Sequence, residues 1–312
     1  MPLRLCPRRR SRRTALLAAG TITLSLTALP STAAPADEVR LSPEFTTAAG
    51  TTFAWASLGD GPPLLLLNGT ASPMSEWDPA LLGALADGHR VLVFDYPGLG
   101  MSGAAPARWS FSRAADWVAD LLVTIAPGQP VDVVGWSMGG FIAQRLAVQH
   151  PALVDRLVLA ATNPGGDATV LGPRWVQEAD SGDDETAYLR TNYPRAGQRA
   201  GERFLNRLSD AVGSGRYPDE SVPAATRRAM VRAEDPWLRS NVNLGELQGL
   251  DIPTLIITGA RDVITPPVNS RRLAAAVPGA ELHLVPRAGH SFLFQQPIRT
   301  ARLLDAFLSD VG

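Results

Sequence analysis

The sequence predicts an α/β fold, in which a mostly parallel, doubly wound sheet carries an inserted helical cap. Three observations support this prediction. Short, continuously apolar runs recur along the chain, helical patterns alternate with them, and one long segment has no such run. Continuous apolar runs are typical of strands that helices cover on both faces, as in a parallel sheet. The alternation of strand and helix favours right-handed crossovers.

The apolar runs predict the strands of this sheet. After a polar lead-in, TTFAWAS from Thr51 predicts the first strand, and the GDGPP that follows predicts a turn. The other predicted strands are LLLL from Leu64, VLVF from Val91, VDVV from Val131, LVLAA from Leu157, TLIIT from Thr254 and ELHLV from Glu281. Runs as short as these fit strands better than helices.

Apolar residues spaced three and four positions apart predict helices between these strands. The predicted helices begin at Ser112, Met138, Pro266 and Pro297. Serine and proline are both favoured near helix starts. The helix from Met138 is expected to end before Pro151, because proline cannot continue a helix.

The segment 163–250 predicts the helical cap. It has no comparable apolar run, and its charges are mixed along several amphipathic stretches. Those stretches surround Trp175, Tyr188, Phe204 and Trp237. The spaced aromatic residues disfavour the alternative of a disordered linker. The predicted core therefore has two parts, 37–162 and 251–312.

Residues 1–36 predict a secretory signal peptide. Several arginines precede an apolar stretch from Ala15 to Leu29, and small residues follow it, which is the order of an export signal. SRRTALL from Ser11 resembles a twin-arginine signal. The alternative is a retained membrane anchor, but Gly20 and threonines interrupt the stretch, which is also short for a span. We therefore expect a secreted protein without a stable membrane anchor.

Charge and cysteine content disfavour several classes of function. All 29 basic residues are arginines. Six of them lie in the predicted signal, which has no acidic residue, so the rest of the chain has 23 arginines, 30 acids and a net charge of −7. That balance indicates no nucleic-acid partner. Cys6 is the only cysteine and belongs to the predicted signal, so neither a disulfide nor a thiolate nucleophile is expected.

The motif GWSMG places Ser137 where a predicted buried strand ends and a helix begins. A sharp turn there strains the serine backbone, and Gly135 and Gly139 leave room because they have no Cβ. The hydroxyl would stand at the carboxyl edge of the sheet, where open α/β sheets bind ligands. The helix N-terminus behind it favours negative charge. The pattern predicts a nucleophile elbow, and the alternative is a tight turn without chemistry.

With three further motifs, this elbow resembles the α/β-hydrolase fold family. LLLLNGTASPMSEW has a strand followed by the turn at Gly69 and Thr70, and DYPGLGMS from Asp95 is similar to the family's loop after the next strand. GARDVITPP and AGHSFLFQQP follow the last two predicted strands. The resemblance extends from Thr51 to the chain end, and the segment 163–250 corresponds to the family's cap. It implies a hydrolase of the serine or esterase type, and no metal or cofactor.

Ser137, Asp262 and His290 follow the chain order of nucleophile, acid and histidine in this fold. Serine is a weak nucleophile at neutral pH and needs a base. His290 would accept its proton and later donate it to the leaving group, while Asp262 would orient the imidazole. The backbone N–H groups of Met138 and, by the resemblance, of Thr70 would form the oxyanion hole.

Other residues are alternatives to these assignments. Structural or solvated positions are expected for the remaining histidines, His89, His150 and His283. Asp167 is an alternative triad acid, and Asp95 is expected to anchor its own loop. Many relatives have a histidine followed by glycine where this chain has Asn68 followed by glycine. We expect the turn to form here as well, because asparagine tolerates unusual backbone angles.

The sequence thus predicts a secreted serine hydrolase that cleaves small to medium carboxylic esters through an acyl-enzyme on Ser137. Its predicted partner is a small ester-like molecule. A serine at the elbow argues against dehalogenase and epoxide hydrolase chemistry, which the resemblance assigns to aspartate. The alternatives with the same residues are hydrolysis of a C–C bond, lactone or peptide, and cofactor-free perhydrolysis. The alternative from another class is a ligand-binding or sensing protein with little turnover.

Overall fold

The structure, a computed structural model, describes residues 36–179 and 184–309. Apart from its last residue, the predicted signal peptide of residues 1–36 lies outside the described residues. Within the described ranges, no helix has both the length and the apolar character needed to cross a membrane.

An eight-stranded sheet forms the centre of the protein, with strand order β1-β2-β4-β3-β5-β6-β7-β8. Its strands are β1 (Glu44–Ala48), β2 (Thr51–Leu58), β3 (Pro63–Leu67), β4 (Arg90–Phe94), β5 (Val131–Trp136), β6 (Val154–Ala160), β7 (Thr254–Gly259) and β8 (Glu281–Val285). The six strands from β4 to β8 in this order pair in parallel, and β2 pairs antiparallel with both β1 and β4. The mostly parallel sheet predicted from the apolar runs is confirmed.

Strand β1 is the part of the sheet that the sequence analysis missed, since it lies in the polar lead-in. It forms a hairpin with β2 through Ala49 and Gly50, whose φ angles are 51° and 76°. Two successive positive φ angles match the twist of antiparallel strands in a two-residue turn. Ala-Gly is not one of the strong hairpin sequences, and the strand itself is mostly exposed, so neither feature gave a clear signal.

Helices lie on both faces of the sheet. They are α1 (Pro79–Leu85), α2 (Phe111–Ile125), α3 (Met138–Gln149), α4 (Arg174–Ala179), α5 (Glu185–Asn192), α6 (Gln198–Gly213), α7 (Ala224–Arg239), α8 (Val242–Leu247), α9 (Pro267–Ala276), α10 (Phe292–Gln295) and α11 (Pro297–Leu308). Successive side chains of a strand point to opposite faces. In β3, Leu65 and Leu67 accordingly join one apolar cluster with α2 and α3, and Leu64 and Leu66 join another with α1 and α11. Burial on both faces explains the unbroken apolar runs.

Five of these helices, α4 to α8, lie between β6 and β7 in the chain, where the sequence predicts the cap. They contact both apolar clusters. On α7, Met230 and Trp237 are buried in the cluster of α2 and α3. On α6, Phe204 stacks on Phe294 with ring centroids 4.5 Å apart and an interplanar angle of 6°. The helices between β6 and β7 are therefore packed on the core through aromatic contacts on both sides.

Candidate active site

Ser137 occupies a strained turn between β5 and α3, with φ 56° and ψ −120°. A non-glycine residue with such angles costs about 1–3 kcal/mol and persists where the surroundings enforce it. Glycines make the turn sterically possible. A Cβ on Gly135 would lie 2.5 Å from the carbonyl oxygen of Gly139, and a Cβ on Gly139 would overlap the carbonyl oxygen of Leu67. The chain therefore has the nucleophile-elbow geometry that GWSMG predicts.

Hydrogen bonds from neighbouring strands hold the backbone of Ser137. Its N–H donates to the carbonyl oxygen of Ala160 at 2.9 Å, and its own carbonyl oxygen accepts from the Thr162 hydroxyl at 2.8 Å. Gly140 allows this contact, because a Cβ there would lie 2.5 Å from the Thr162 side chain. Ser137 follows the carboxyl end of β5 and is partly exposed.

Asp262 and His290 contact each other directly, with Oδ2 of the aspartate 2.9 Å from Nδ1 of the imidazole. Both residues are buried, each with 3% exposure. Further donors satisfy the carboxylate, as a buried charge requires. Its Oδ1 accepts from the backbone N–H groups of Ile264 and Thr265, both at 2.9 Å, and its Oδ2 accepts from the Thr265 hydroxyl at 2.8 Å. These bonds fix the carboxylate in one orientation toward the ring.

The loops that carry Asp262 and His290 are pressed together after β7 and β8. A Cβ on Gly259 would overlap the carbonyl oxygens of Ala288 and Gly289, so glycine allows the close approach. Trp136 then connects His290 to the elbow, since its indole N–H donates to the His290 carbonyl oxygen at 3.3 Å and the two rings lie 5.5 Å apart.

Trp136 immediately precedes Ser137, so His290 contacts the residue before the serine turn. Because Nδ1 faces Asp262, Nε2 is the ring nitrogen left to serve Ser137. In the part of the chain that the structure describes, no hydrogen bond joins Nε2 to the serine hydroxyl.

The turn after β3 borders the same space. A Cβ on Gly69 would lie 3.6 Å from the Cβ of Ser137, so the turn containing Thr70 contacts the elbow. Asn68, which replaces the histidine of many relatives, holds this turn by donating to the carbonyl oxygen of Pro73 at 2.7 Å. Met138 begins α3, and the first N–H groups of a helix have no partner within it. The turn that contains Thr70 and the first residue of α3, Met138, thus both adjoin Ser137.

Glu234 on α7 also reaches this site, and the sequence analysis did not identify it. The Thr70 hydroxyl donates to its Oε1 at 3.3 Å. The two residues are 164 positions apart in the chain. A glutamate within a charged amphipathic helix gives no local signal of such a contact, so only the fold could reveal it.

The alternative residues have other contacts. Asp167 accepts from the Asn241 side chain at 2.9 Å, which links two segments between β6 and β7 rather than facing His290. Asp95 anchors its loop, as expected, by accepting from the backbone N–H groups of Met74 and Met101, both at 2.8 Å.

The three other histidines also lie in structural positions. His89 pairs with Asp305 at 3.2 Å, and His150 pairs with Asp116 at 2.8 Å. His283 lies within β8. None of these contacts involves Ser137.

Two acidic side chains interact with each other, Asp95 after β4 and Glu220 between α6 and α7. Burial, followed by a hydrogen bond to Glu220 and the charge of Glu220, raises the pKa of Asp95 to about 9. Glu220 accepts from the Ser75 N–H at 3.0 Å through Oε2, and its Oε1 is buried. Two carboxyl groups in contact need a shared proton. Asp95 and Glu220 therefore form a carboxyl–carboxylate pair.

Comparison with known proteins decides the family. The model of the alpha/beta hydrolase fold matches residues 62–297 of this chain. The chain belongs to the alpha/beta hydrolase fold family. The matched region of this alpha/beta hydrolase includes the elbow, both loops of the Asp262–His290 pair and the segment between β6 and β7. The resemblance stated from the motifs is confirmed, and with it the enzyme class.

Relatives of this alpha/beta hydrolase cover most of its length. A pimeloyl-[acyl-carrier protein] methyl ester esterase of Nitrosomonas europaea is 31% identical over 261 residues, which are 80% of this chain and 96% of the relative. A Mycobacterium tuberculosis protein, provisionally named a non-heme bromoperoxidase, is 31% identical over 264 residues, with the same shares covered. The structure of an alpha/beta hydrolase fold protein from Chitinophaga pinensis has a TM-score of 0.76 at 21% identity and covers 86% of this chain and 98% of its own.

Within residues 36–179 and 184–309, no group of three or more histidine, cysteine, aspartate or glutamate side chains is arranged to hold a metal ion.

Proposed function

We propose that this alpha/beta hydrolase cleaves small to medium carboxylic esters through an acyl-enzyme on Ser137. The observation that supports the proposal is the Asp262–His290 pair, 2.9 Å apart, whose histidine contacts Trp136, the residue before the strained Ser137. Strain of this kind is retained where it serves a function. The esterase name of the Nitrosomonas europaea relative agrees with this choice of substrate.

In the proposed mechanism, Nε2 of His290 accepts the hydroxyl proton of Ser137 as the serine oxygen attacks the ester carbonyl carbon. Asp262 stabilises the imidazolium through Nδ1–H. The backbone N–H groups of Met138 and Thr70 bind the oxyanion, where each such donor is worth roughly a hundredfold or more in rate. The C–O bond to the alcohol then breaks, and Nε2–H protonates the leaving alkoxide.

The second half of the cycle restores the enzyme. Nε2 of His290 takes a proton from water as the water oxygen attacks the acyl carbon. The tetrahedral intermediate collapses, the bond to the serine oxygen breaks, and the serine recovers its proton from the imidazolium. One ester and one water molecule give one acid and one alcohol.

Labelling with a fluorophosphonate tests the nucleophile. The wild-type chain without residues 1–36 should be labelled and should hydrolyse p-nitrophenyl esters, and Ser137→Ala should abolish both reactions. Folded wild-type protein that remains unlabelled would contradict the proposal. Labelling of the Ser137→Ala variant would show that another serine reacts.

A second candidate function, cofactor-free perhydrolysis, is supported by the relative from Mycobacterium tuberculosis. In this reaction, hydrogen peroxide replaces water as the nucleophile that attacks the acyl-enzyme, and the product is a peracid. Competition between peroxide and water for the same acyl-enzyme separates the two functions. When peroxide and water have equal access to the acyl-enzyme, a product that is mostly carboxylic acid favours the esterase. A product that is mostly peracid favours the perhydrolase.

We also propose that residues 1–36 direct export of the protein. Support comes from the order of arginines, apolar residues and small residues in this segment. Changing Arg12 and Arg13 together to glutamine should retain the protein inside cells, as measured by fractionation. The matched control changes Arg8 and Arg9 to glutamine, which removes the same charge outside the arginine pair of SRRTALL. Equal export of both variants would exclude the twin-arginine route.

A further inference from the structure

We propose that Glu234 makes this hydrolase select substrates by charge, favouring esters that carry a positive group over matched esters that carry a negative one. This inference rests on the proposed function, because it concerns molecules that react at Ser137. Glu234 lies on α7, within the segment that the sequence analysis predicts to be a cap.

The carboxylate of Glu234 lies next to the proposed reaction centre. Its Oε1 accepts a hydrogen bond from the Thr70 hydroxyl at 3.3 Å. Thr70 follows Gly69, where a Cβ would be 3.6 Å from the Cβ of Ser137. Thr70, Glu234 and Ser137 are all partly exposed, so each of them faces solvent.

Contacts on both sides of Glu234 fix α7 in place. Near the start of the helix, the Thr226 hydroxyl donates to the carbonyl oxygen of Gly98 at 2.8 Å. Near its end, Trp237 donates to the side chain of Asn163 at 2.9 Å and is buried in the core. Because these contacts hold the helix, the carboxylate is positioned before a substrate arrives. Prepositioned charges discriminate between ligands better than mobile ones, since no ordering is needed on binding.

A fixed carboxylate acts on substrates in two ways. It attracts a positive group and repels a negative one during binding. It also disfavours the oxyanion that forms at the Thr70 N–H, and a positive group on the substrate compensates for this. The preference should therefore be visible in kcat/KM, which reports on the transition state relative to free enzyme and substrate.

Coulomb's law sets the expected size of the effect. For unit charges on the order of 8 Å apart and an effective dielectric constant of about 40, the interaction corresponds to about a fivefold change in rate for each sign of charge. Glu234 also has a further interaction within the protein, so we expect no more than this factor. Between a positive and a negative substrate, the combined preference is then about 25-fold.

Glu234→Gln isolates the charge. Glutamine keeps the shape of the side chain and an oxygen that can accept from the Thr70 hydroxyl, so only the charge is lost. Asp235→Asn is the matched control, since Asp235 is an exposed neighbour on the same helix that pairs with Arg239 at 3.1 Å. It changes the net charge of the protein by the same amount without altering the site.

Three methyl esters with the same four-methylene spacer provide the substrates: methyl 5-aminopentanoate, methyl hexanoate and monomethyl adipate. Release of methanol measures kcat/KM at pH 7. In Glu234→Gln, the ratio between the positive and the negative ester should fall by about 25-fold relative to wild type. The neutral ester should react up to about fivefold faster, because the carboxylate no longer opposes the oxyanion, and Asp235→Asn should keep the wild-type ratio. A ratio in Glu234→Gln within twofold of wild type overturns the inference.

Fluorophosphonates with a terminal ammonium or a terminal carboxylate give a second readout that needs no turnover. The ratio of their labelling rates should fall in Glu234→Gln as it does for the esters, and an unchanged ratio again overturns the inference. Wild-type protein that is labelled and shows no charge preference contradicts only the role of Glu234. Folded wild-type protein that neither probe labels contradicts the proposed function itself.

Discussion

Replacing Glu220 by glutamine should weaken the dependence of folding stability on pH between pH 6 and 8. In the folded protein, burial first, and then the hydrogen bond and charge of Glu220, raise the pKa of Asp95 from 3.8 to about 9. Between these two pKa values, the folded protein holds a proton on Asp95 that the unfolded chain has lost. This contribution to stability is therefore complete below about pH 4 and is lost progressively until about pH 9.

The slope follows from linkage. One proton bound only by the folded state changes the free energy of unfolding by up to about 1.4 kcal/mol per pH unit, so wild type should lose up to about 3 kcal/mol between pH 6 and 8. Glutamine can donate an amide N–H to the Asp95 carboxylate and removes the charge of Glu220. The pKa of Asp95 should then fall, and the loss over these two pH units should drop to about half of the wild-type value or less.

Urea unfolding followed by tryptophan fluorescence at pH 6, 7 and 8 measures these slopes. Glu202→Gln is the control, because Glu202 is an exposed residue of α6 and its loss changes the net charge equally. The control should keep the wild-type slope. If Glu220→Gln has the same slope as the control, Glu220 does not help to hold the proton on Asp95.

Two other substitutions test the site and the elbow. Asp262→Asn should lower kcat for ester hydrolysis by up to about ten-thousand-fold, because the amide favours the wrong imidazole tautomer, whereas Asp167→Asn should stay within about threefold. A larger loss in Asp167→Asn would assign the acid to that residue. Gly139→Ala should leave little folded protein by circular dichroism, because a Cβ there overlaps a backbone oxygen. Gly213→Ala should fold normally, since nothing lies within 4 Å of its Cβ position. Normal folding of both variants would contradict the steric account of the elbow.

The sheet and the elbow could be predicted because their signals are local. An unbroken apolar run such as the one from Leu64 reports burial on both faces, and GWSMG reports a turn that few other residues allow. Strand β1 gave no such signal, because its side chains are largely exposed and its pairing depends on the backbone of Ala49 and Gly50. When backbone hydrogen bonds alone define an element, the pattern of its side chains does not predict it.

Contacts between the core and the segment between β6 and β7 could not be predicted. The Thr70–Glu234 contact joins residues 164 positions apart, and the contact of Glu220 with Ser75 joins residues 145 positions apart. Amphipathic spacing indicates which face of a helix is buried, but it does not identify the surface that covers that face. The sequence could therefore predict Ser137 and the order of its proposed partners, but not the contacts that Glu234 and Glu220 make with the core.

The positions of β6 and β7 have a consequence for how such an enzyme can diversify. The two strands are adjacent and parallel in the sheet, so the chain leaves the core and returns to it at neighbouring points. Residues inserted between these strands lengthen the connecting segment without displacing the strands that carry the elbow and the acid–histidine pair. Recombination at these two junctions can exchange the helices between them and leave the strands of the core unchanged.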